Sequence, residues 1–174
     1  FPNSFGASLI IGQPHTADPT VGTILEAAAA GKIKTMFVIG GGLLERYGAD
    51  TLREKLRNVE TLVAIQTHRS VLTEMATVAL PMTSFAEMDG SICNFEGRVQ
   101  RYYQAIPPLG QARPLLDTLA DLANRWELKT APRQPENCFA ELAHNVEYFA
   151  GLSYEMLGDG GVNPSRRSAT AATA

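Results

Sequence analysis

Cysteine is scarce in this chain: Cys93 and Cys138 stand 45 residues apart, and neither has a Cys-x-x-Cys neighbour. Two such thiols exclude a disulfide scaffold and fit a reducing compartment. Net charge is small, at −3, which leaves no electrostatic footprint for nucleic acid or an anionic membrane. The longest apolar runs fall far short of a membrane span, and no secretory signal pattern opens the chain. There is no internal repeat, no Gly-x-Ser-x-Gly and no phosphate-binding P-loop. His15, His68 and His144 are isolated, so no metal-ligand spacing is present. A first residue Phe1 rather than Met leaves a longer polypeptide open.

What remains is a globular composition, 45% hydrophobic and 19% charged over 174 residues, which fits one domain with a real core. Residues 1–158 read as a single α/β domain and 159–174 as a flexible polar tail containing Arg166-Arg167. Phe1 to Thr20 reads as a loop-like entry. Four alanines followed by Gly31 predict a helix from Val21 to Ala30, capped by Asp18 or Thr20. Lys34 to Ile39 reads as a buried strand that ends in three glycines. Tyr47 to Asn58 reads as a helix with Thr51 and Glu54 at capping-box spacing. Glu60 to Gln66 is a second strand, Ser70 caps a short helix to Ala76, and Thr77 to Leu80 is a third strand. Strands alternating with helices of this length predict a mainly parallel, doubly wound Rossmann-like sheet.

Pro81 ends the third run. A long ordered loop is expected from Met82 to Gln100, with turns at Asp89-Gly90 and Glu96-Gly97. Arg98 is expected to be held there by a carboxylate, Glu87 or Glu96, or by backbone carbonyls. Val99 to Ile106 reads as extended. Leu115, Leu116, Leu119, Leu122, Ala123 and Trp126 share one face of a predicted core helix. Pro132 and Pro135 bracket a linker, a helix runs from Phe139 to Tyr148, and 151–161 is turn-rich.

Open α/β sheets bind ligands at the carboxyl ends of their strands. Gly40, Gly41, Gly42, Gln66 and Thr67 therefore form the candidate face, with His68 beside them. Glycine-rich backbone can cradle phosphate, although Glu45 occupies the third glycine of a Gly-x-Gly-x-x-Gly pattern. His68 would need a partner in reach to act as a base; a solvated loop residue is the plainer reading. Cys93 reads as a small buried apolar residue rather than a nucleophile. No catalytic residue and no metal ligand is assigned.

The stretch around Arg98 resembles a segment of the molybdopterin oxidoreductase superfamily. Leu80-Pro81, Glu87, Gly90-Ser91, Asn94 and Glu96-Gly97-Arg98-Val99-Gln100 carry the likeness. It extends to Asn3, Gly6-Ala7 and Gly31-Lys32-Ile33-Lys34, then to Pro107-Pro108-Leu109-Gly110-Gln111-Ala112-Arg113-Pro114 and to Gly151-Leu152-Ser153-Tyr154-Glu155. Gly42-Leu43 replaces the Asn-Pro that usually ends the superfamily's first strand, and Ala76-Thr77 stands where Ala-Asp usually leads into its third.

The resemblance implies part of a larger oxidoreductase. Its leading form is a non-catalytic carboxyl-terminal region of the large iron–sulfur subunit of NADH:quinone oxidoreductase, respiratory complex I. On that form the chain holds no cofactor, iron–sulfur clusters lie elsewhere in the assembly, and its partners are other subunits. It would sit peripherally on the cytoplasmic side of the inner membrane, without membrane insertion and without nucleic acid. The alternatives are a fragment of a molybdenum or tungsten formate-dehydrogenase-like catalytic subunit binding molybdopterin guanine dinucleotide, and a free-standing interaction module on the same fold.

Overall fold

A computed structural model describes residues 3–11, 20–128 and 132–165, which divide into two compact units. One runs from α2 to residue 84 and includes 108–115; the other contains α1, residues 85–107 and the described chain from Leu116 onward.

In the first unit, α2 (Val21–Ala29) starts at Thr20, whose hydroxyl accepts from the Thr23 N–H at 3.2 Å. This satisfies one of the donors a helix start leaves orphaned. The expected Asp18 cap lies outside the described residues. Three strands follow, β1 (Thr35–Ile39), β2 (Thr61–Gln66) and β3 (Val78–Pro81), all parallel and in the order β1-β2-β3. Register runs Thr35↔Thr61 through Ile39↔Ile65, and Val63↔Val78 through Gln66↔Pro81.

Two short helices fill the first crossover, α3 (Gly42–Tyr47) and α4 (Ala49–Leu56), where the sequence predicts one. The break is Gly48, at φ +75°, a value that favours glycine. It moves the start of α4 ahead of Thr51, so the expected Thr51–Glu54 capping box does not form and Gly48 is the cap without a side-chain bond. The second crossover is α5 (Val71–Met75), with Ser70 and Thr73 forming a reciprocal capping box.

Leu25 and Ala28 of α2, Leu52 and Leu56 of α4, and Val71 and Leu72 of α5 pack with Met36, Val38, Leu62 and Ala64. These four strand residues share one face, as the period of two requires. Burial of each such leucine contributes about 1.5–3 kcal/mol. The α/β class and parallel pairing agree with the sequence. β1 differs from its expected full burial, because only Met36 and Val38 are buried while Phe37 and Ile39 are 40% and 45% exposed. It is an edge strand with helices on one face, so its side chains alternate. Pro81 is the last residue of edge strand β3, where the missing N–H leaves no ladder bond unmade.

The second unit departs further from expectation. The entry is not all loop, since Ser4–Ile11 forms helix α1. Gly6 lets α1 lie against β4 (Gly90–Cys93): a Cβ there would meet the Asn3 Oδ1 at 2.6 Å and the Cys93 Cβ at 2.8 Å. Asn3 Oδ1 also accepts from the Cys93 N–H at 2.9 Å.

The long loop expected after Met82 is largely an antiparallel hairpin, β4 with β5 (Val99–Tyr102). Asp89-Gly90 is not a turn, because Gly90 opens β4 opposite Tyr102. The other expected turn, at Glu96-Gly97, does form, within Asn94–Gly97, where Asn94 Oδ1 accepts from the Glu96 and Arg98 N–H groups, both at 3.0 Å. Gly97 takes φ +79° there. Arg98 Nη1 donates to the carbonyls of Gly160 and Gly161 at 3.1 and 3.5 Å, fulfilling the backbone arm of the expectation.

α6 (Leu115–Arg125) forms as expected, but Trp126 lies beyond it and is 59% exposed, and of the helix's own residues only Ala120 is fully buried. α7 (Pro135–Asn145) begins at the proline read as a linker boundary. At the first helical position proline loses a donor that had no partner, so it starts a helix rather than preventing one. Val99 exchanges two backbone bonds with Val162, and Asn163 donates to the Glu96 carbonyl, so residues up to Asn163 belong to the fold. Arg166-Arg167 and the remainder of the expected tail lie outside the described residues.

Candidate functional site

At the carboxyl ends of β2 and β3 the chain leaves an open cavity of about 530 Å³. Gln66, Thr67, His68 and Arg69 form one side, with Thr73 and Glu74 of α5 and the end of β3 around it. The site exists because β2 must stop before α5 can start. The connecting residues Thr67, His68 and Arg69 are exposed, whereas Gln66 is 6% exposed.

A buried amide needs partners for both its donor and its acceptor end. Gln66 Nε2 donates to the Gly40 carbonyl at 2.8 Å, and its Oε1 accepts from the Ser70 hydroxyl at 3.0 Å. The Ser70 hydroxyl oxygen in turn accepts from the Leu72 N–H at 3.2 Å. Gly40, at φ +75°, also donates its own N–H to the Ile65 carbonyl at 2.9 Å. The glycine turn after β1 is thus tied to the cap of α5 through one side chain.

The structure therefore brings together Gly40, Gln66 and, on the cavity wall, Thr67. Gly40, Gly41 and Gly42 do not themselves line the cavity, and Gly42 is the first residue of α3. Cβ positions built on Gly40, Gly41 and Gly42 meet nothing within 4 Å, so this turn borders open space. His68 lies 2.8 Å through Nδ1 from the Thr67 hydroxyl and is exposed, as the solvated-loop reading has it. Arg69, Thr73 and Glu74 were not singled out in the sequence. The signal for them was available in the Ser70–Thr73 spacing, which starts a helix directly after a strand and so places its first turn at the strand end.

Thr77, which stands after Ala76 in the place of the usual Asp, also has a physical role. Thr77 Oγ1 accepts from the Leu62 N–H at 3.1 Å and donates to the Glu60 carbonyl at 3.4 Å, tying the start of β3 to β2.

The thiols are not poised for chemistry. Cys93 is buried in the second unit's core, and that burial pushes its pKa up. Cys138 is also raised, by burial first and then by Glu141. His144 is exposed in the last turn of α7, and His15 lies outside the described residues. Among the described residues no three His, Cys, Asp or Glu side chains group as a metal site. No helix among them is long and apolar enough to cross a membrane.

Residues 9–125 match the family model described as molybdopterin oxidoreductase. The chain belongs to the molybdopterin oxidoreductase family. It is 35% identical over 135 residues to a Bacillus subtilis protein named "Putative formate dehydrogenase YrhE", covering 77% of this chain and 14% of that protein. A Staphylococcus aureus protein also named as a putative formate dehydrogenase is 27% identical over 136 residues, 77% of this chain and 14% of its own length. "Probable oxidoreductase YjgC" of Bacillus subtilis is 28% identical over 150 residues, 84% of this chain and 15% of that protein. The chain thus spans about one seventh of the length of these curated relatives. Their names favour the formate-dehydrogenase-like alternative over the complex I form.

Proposed function

We propose that this chain is part of a formate-dehydrogenase-like molybdopterin oxidoreductase, and that its parallel sheet supplies one wall of the site for the nucleotide end of a molybdopterin guanine dinucleotide cofactor. The observation that carries the reading is the open cavity at the carboxyl ends of β2 and β3, lined by Thr67, His68 and Arg69. Its residues fit a phosphate-bearing nucleotide. Thr67 offers a hydroxyl, Arg69 a guanidinium and His68 a ring N–H, all exposed on the cavity side of β2. The bare backbone of Gly40–Gly42 leaves room for close approach. A guanidinium is the side chain best matched to phosphate oxygens, because its N–H groups form a fixed fork.

When bound, the cofactor's molybdenum or tungsten supplies two-electron redox chemistry. The residues of this chain bind and orient: Arg69 offsets phosphate charge, Thr67 and His68 donate, and Gln66 keeps the start of α5 in place. The partners on this reading are the other segments and subunits of a larger oxidoreductase.

The direct test is to titrate the protein with guanosine diphosphate and follow amide resonances. The reading expects shifts confined to residues 40–44 and 66–74, and loss of affinity in Arg69→Ala. A titration to millimolar nucleotide that leaves those amides unmoved would sink it. In the intact assembly, molybdenum or tungsten together with acid-released guanine nucleotide is the expected analysis. Iron–sulfur clusters with neither metal nor guanine nucleotide would return the reading to the complex I branch.

A further inference from the structure

Gln66 is an unusual residue to find at the end of a buried strand. An apolar side chain would satisfy the core at lower cost, since a buried amide gains little net stability even when both ends are bonded. Its two bonds reach the glycine turn after β1 and the cap of α5, the helix that lines the cavity, and each reaches a point already fixed by another bond. Gly40 is pinned at its N–H by Ile65 and at its carbonyl by Gln66. Ser70 is engaged with Gln66 through its hydroxyl hydrogen and with the Leu72 N–H through its oxygen, and its N–H is held by Thr73 Oγ1 at 2.9 Å. The chain Gly40–Gln66–Ser70–Leu72 is therefore one continuous hydrogen-bonded line from the glycine turn to the first turn of α5. Thr73, the other half of the capping box, lies on the cavity wall.

We propose that Gln66 is a positioning residue: its amide ties the α5 cap to the glycine turn after β1, so that the wall of the cavity formed by the end of β2 and by α5 is preorganised for a nucleotide. This rests on the nucleotide reading above and deepens it. A ligand that needs this wall meets it already in shape, and so does not spend binding energy on ordering it. Gln66 need not touch the ligand to act in this way.

Hydrogen exchange of the 174-residue chain, with and without guanosine diphosphate, tests the proposal in three variants. Gln66→Met keeps length and approximate volume but removes both bonds; Ser70→Ala removes one; the third combines them. Without ligand, Gln66→Met should speed exchange by about tenfold in residues 40–44 and 67–73 while leaving α2 unchanged. Ser70→Ala should speed residues 40–44 by a smaller factor, and this effect should vanish in the Gln66→Met background. Guanosine diphosphate affinity should fall by about tenfold in Gln66→Met.

Exchange that rises equally across the sheet and α2 would mean an ordinary core residue and overturn the proposal. So would unchanged nucleotide affinity in a folded Gln66→Met protein that the parent binds well. If Gln66→Met does not fold, Ser70→Ala decides alone: no change at residues 40–44 refutes the tie. If the parent protein itself fails to bind guanosine diphosphate, the nucleotide reading falls, and the exchange pattern still decides whether Gln66 couples the two segments.

Discussion

The hydroxyl of Tyr148 donates to the carbonyl of Gly97 at 2.7 Å, closing a contact across 51 residues of sequence. Gly97 is the left-handed residue of the β4–β5 turn, and a Cβ built on it would run into the Tyr148 hydroxyl. Two penalties therefore fall on the same substitution, a disfavoured backbone angle and a displaced hydrogen bond. Gly97→Ala should destabilise the protein by about 2 kcal/mol or more, and Tyr148→Phe by about 1 kcal/mol. Urea denaturation of both variants checks the order. Equal losses would show that the backbone angle contributes nothing.

Arg98 reaches the carbonyls of Gly160 and Gly161, and Val99 beside it bonds Val162. Arg98→Ala should therefore cost about 1 kcal/mol, and should loosen residues 158–163 first. Limited proteolysis reads the local effect and denaturation the global one. A variant with parental stability and an uncut end piece would contradict it.

Burial raises the phenol of Tyr102, helped by Asp89; it also raises that of Tyr154, against a lowering by Arg101. A phenol raised on folding keeps its proton longer in the folded state than in the unfolded one. Its contribution is fully present below the unfolded value of 10.0 and is lost as pH rises through the folded one. The melting temperature should hold to about pH 9 and fall above about pH 10. Lys55, raised chiefly by its hydrogen bond to Glu26, titrates in the same alkaline region. The Tyr102→Phe and Tyr154→Phe variants isolate the phenols, and each should show a shallower alkaline fall than the parent.

Cys93 is packed with Val99, Phe139 and Phe149, and its thiol is raised by burial. The thiolate is the reactive form, so iodoacetamide at pH 8 should label native Cys93 at least about tenfold more slowly than free cysteine. Denaturant should abolish the difference. Cys138, half-buried, should label faster than Cys93 in the native protein. Rapid native labelling of Cys93 would mean that its core opens readily.

The parallel sheet was legible because its signals are local. β1 and β2 start one residue later than the expected Lys34–Ile39 and Glu60–Gln66, and β3 lies one residue further along than the expected Thr77–Leu80. Apolar runs too short for helices, separated by capped helical segments, leave few arrangements other than right-handed parallel crossovers. Thr20 and Ser70 announced their caps because a cap needs only its own next turn. Arg98 could be assigned to backbone carbonyls as one of two options, since turn glycines on either side let the loop fold back onto its guanidinium.

The rest depended on distance along the chain. Nothing in Asn94-Phe95-Glu96-Gly97 matches a two-residue hairpin turn, so strand Gly90–Cys93 and its pairing with the extended run after Val99 were hidden until Tyr148, Val162 and Asn163 supplied partners. Trp126 fits an apolar stripe by spacing, but only packing decides which members of a stripe are covered. Gln66 shows the division most clearly. Its position at the end of β2 and its place in the candidate face follow from the sequence alone. That its amide joins Gly40, 26 residues earlier, to Ser70 does not, because a side-chain bond between segments forms only where strand register and helix entry have already brought them within 3 Å.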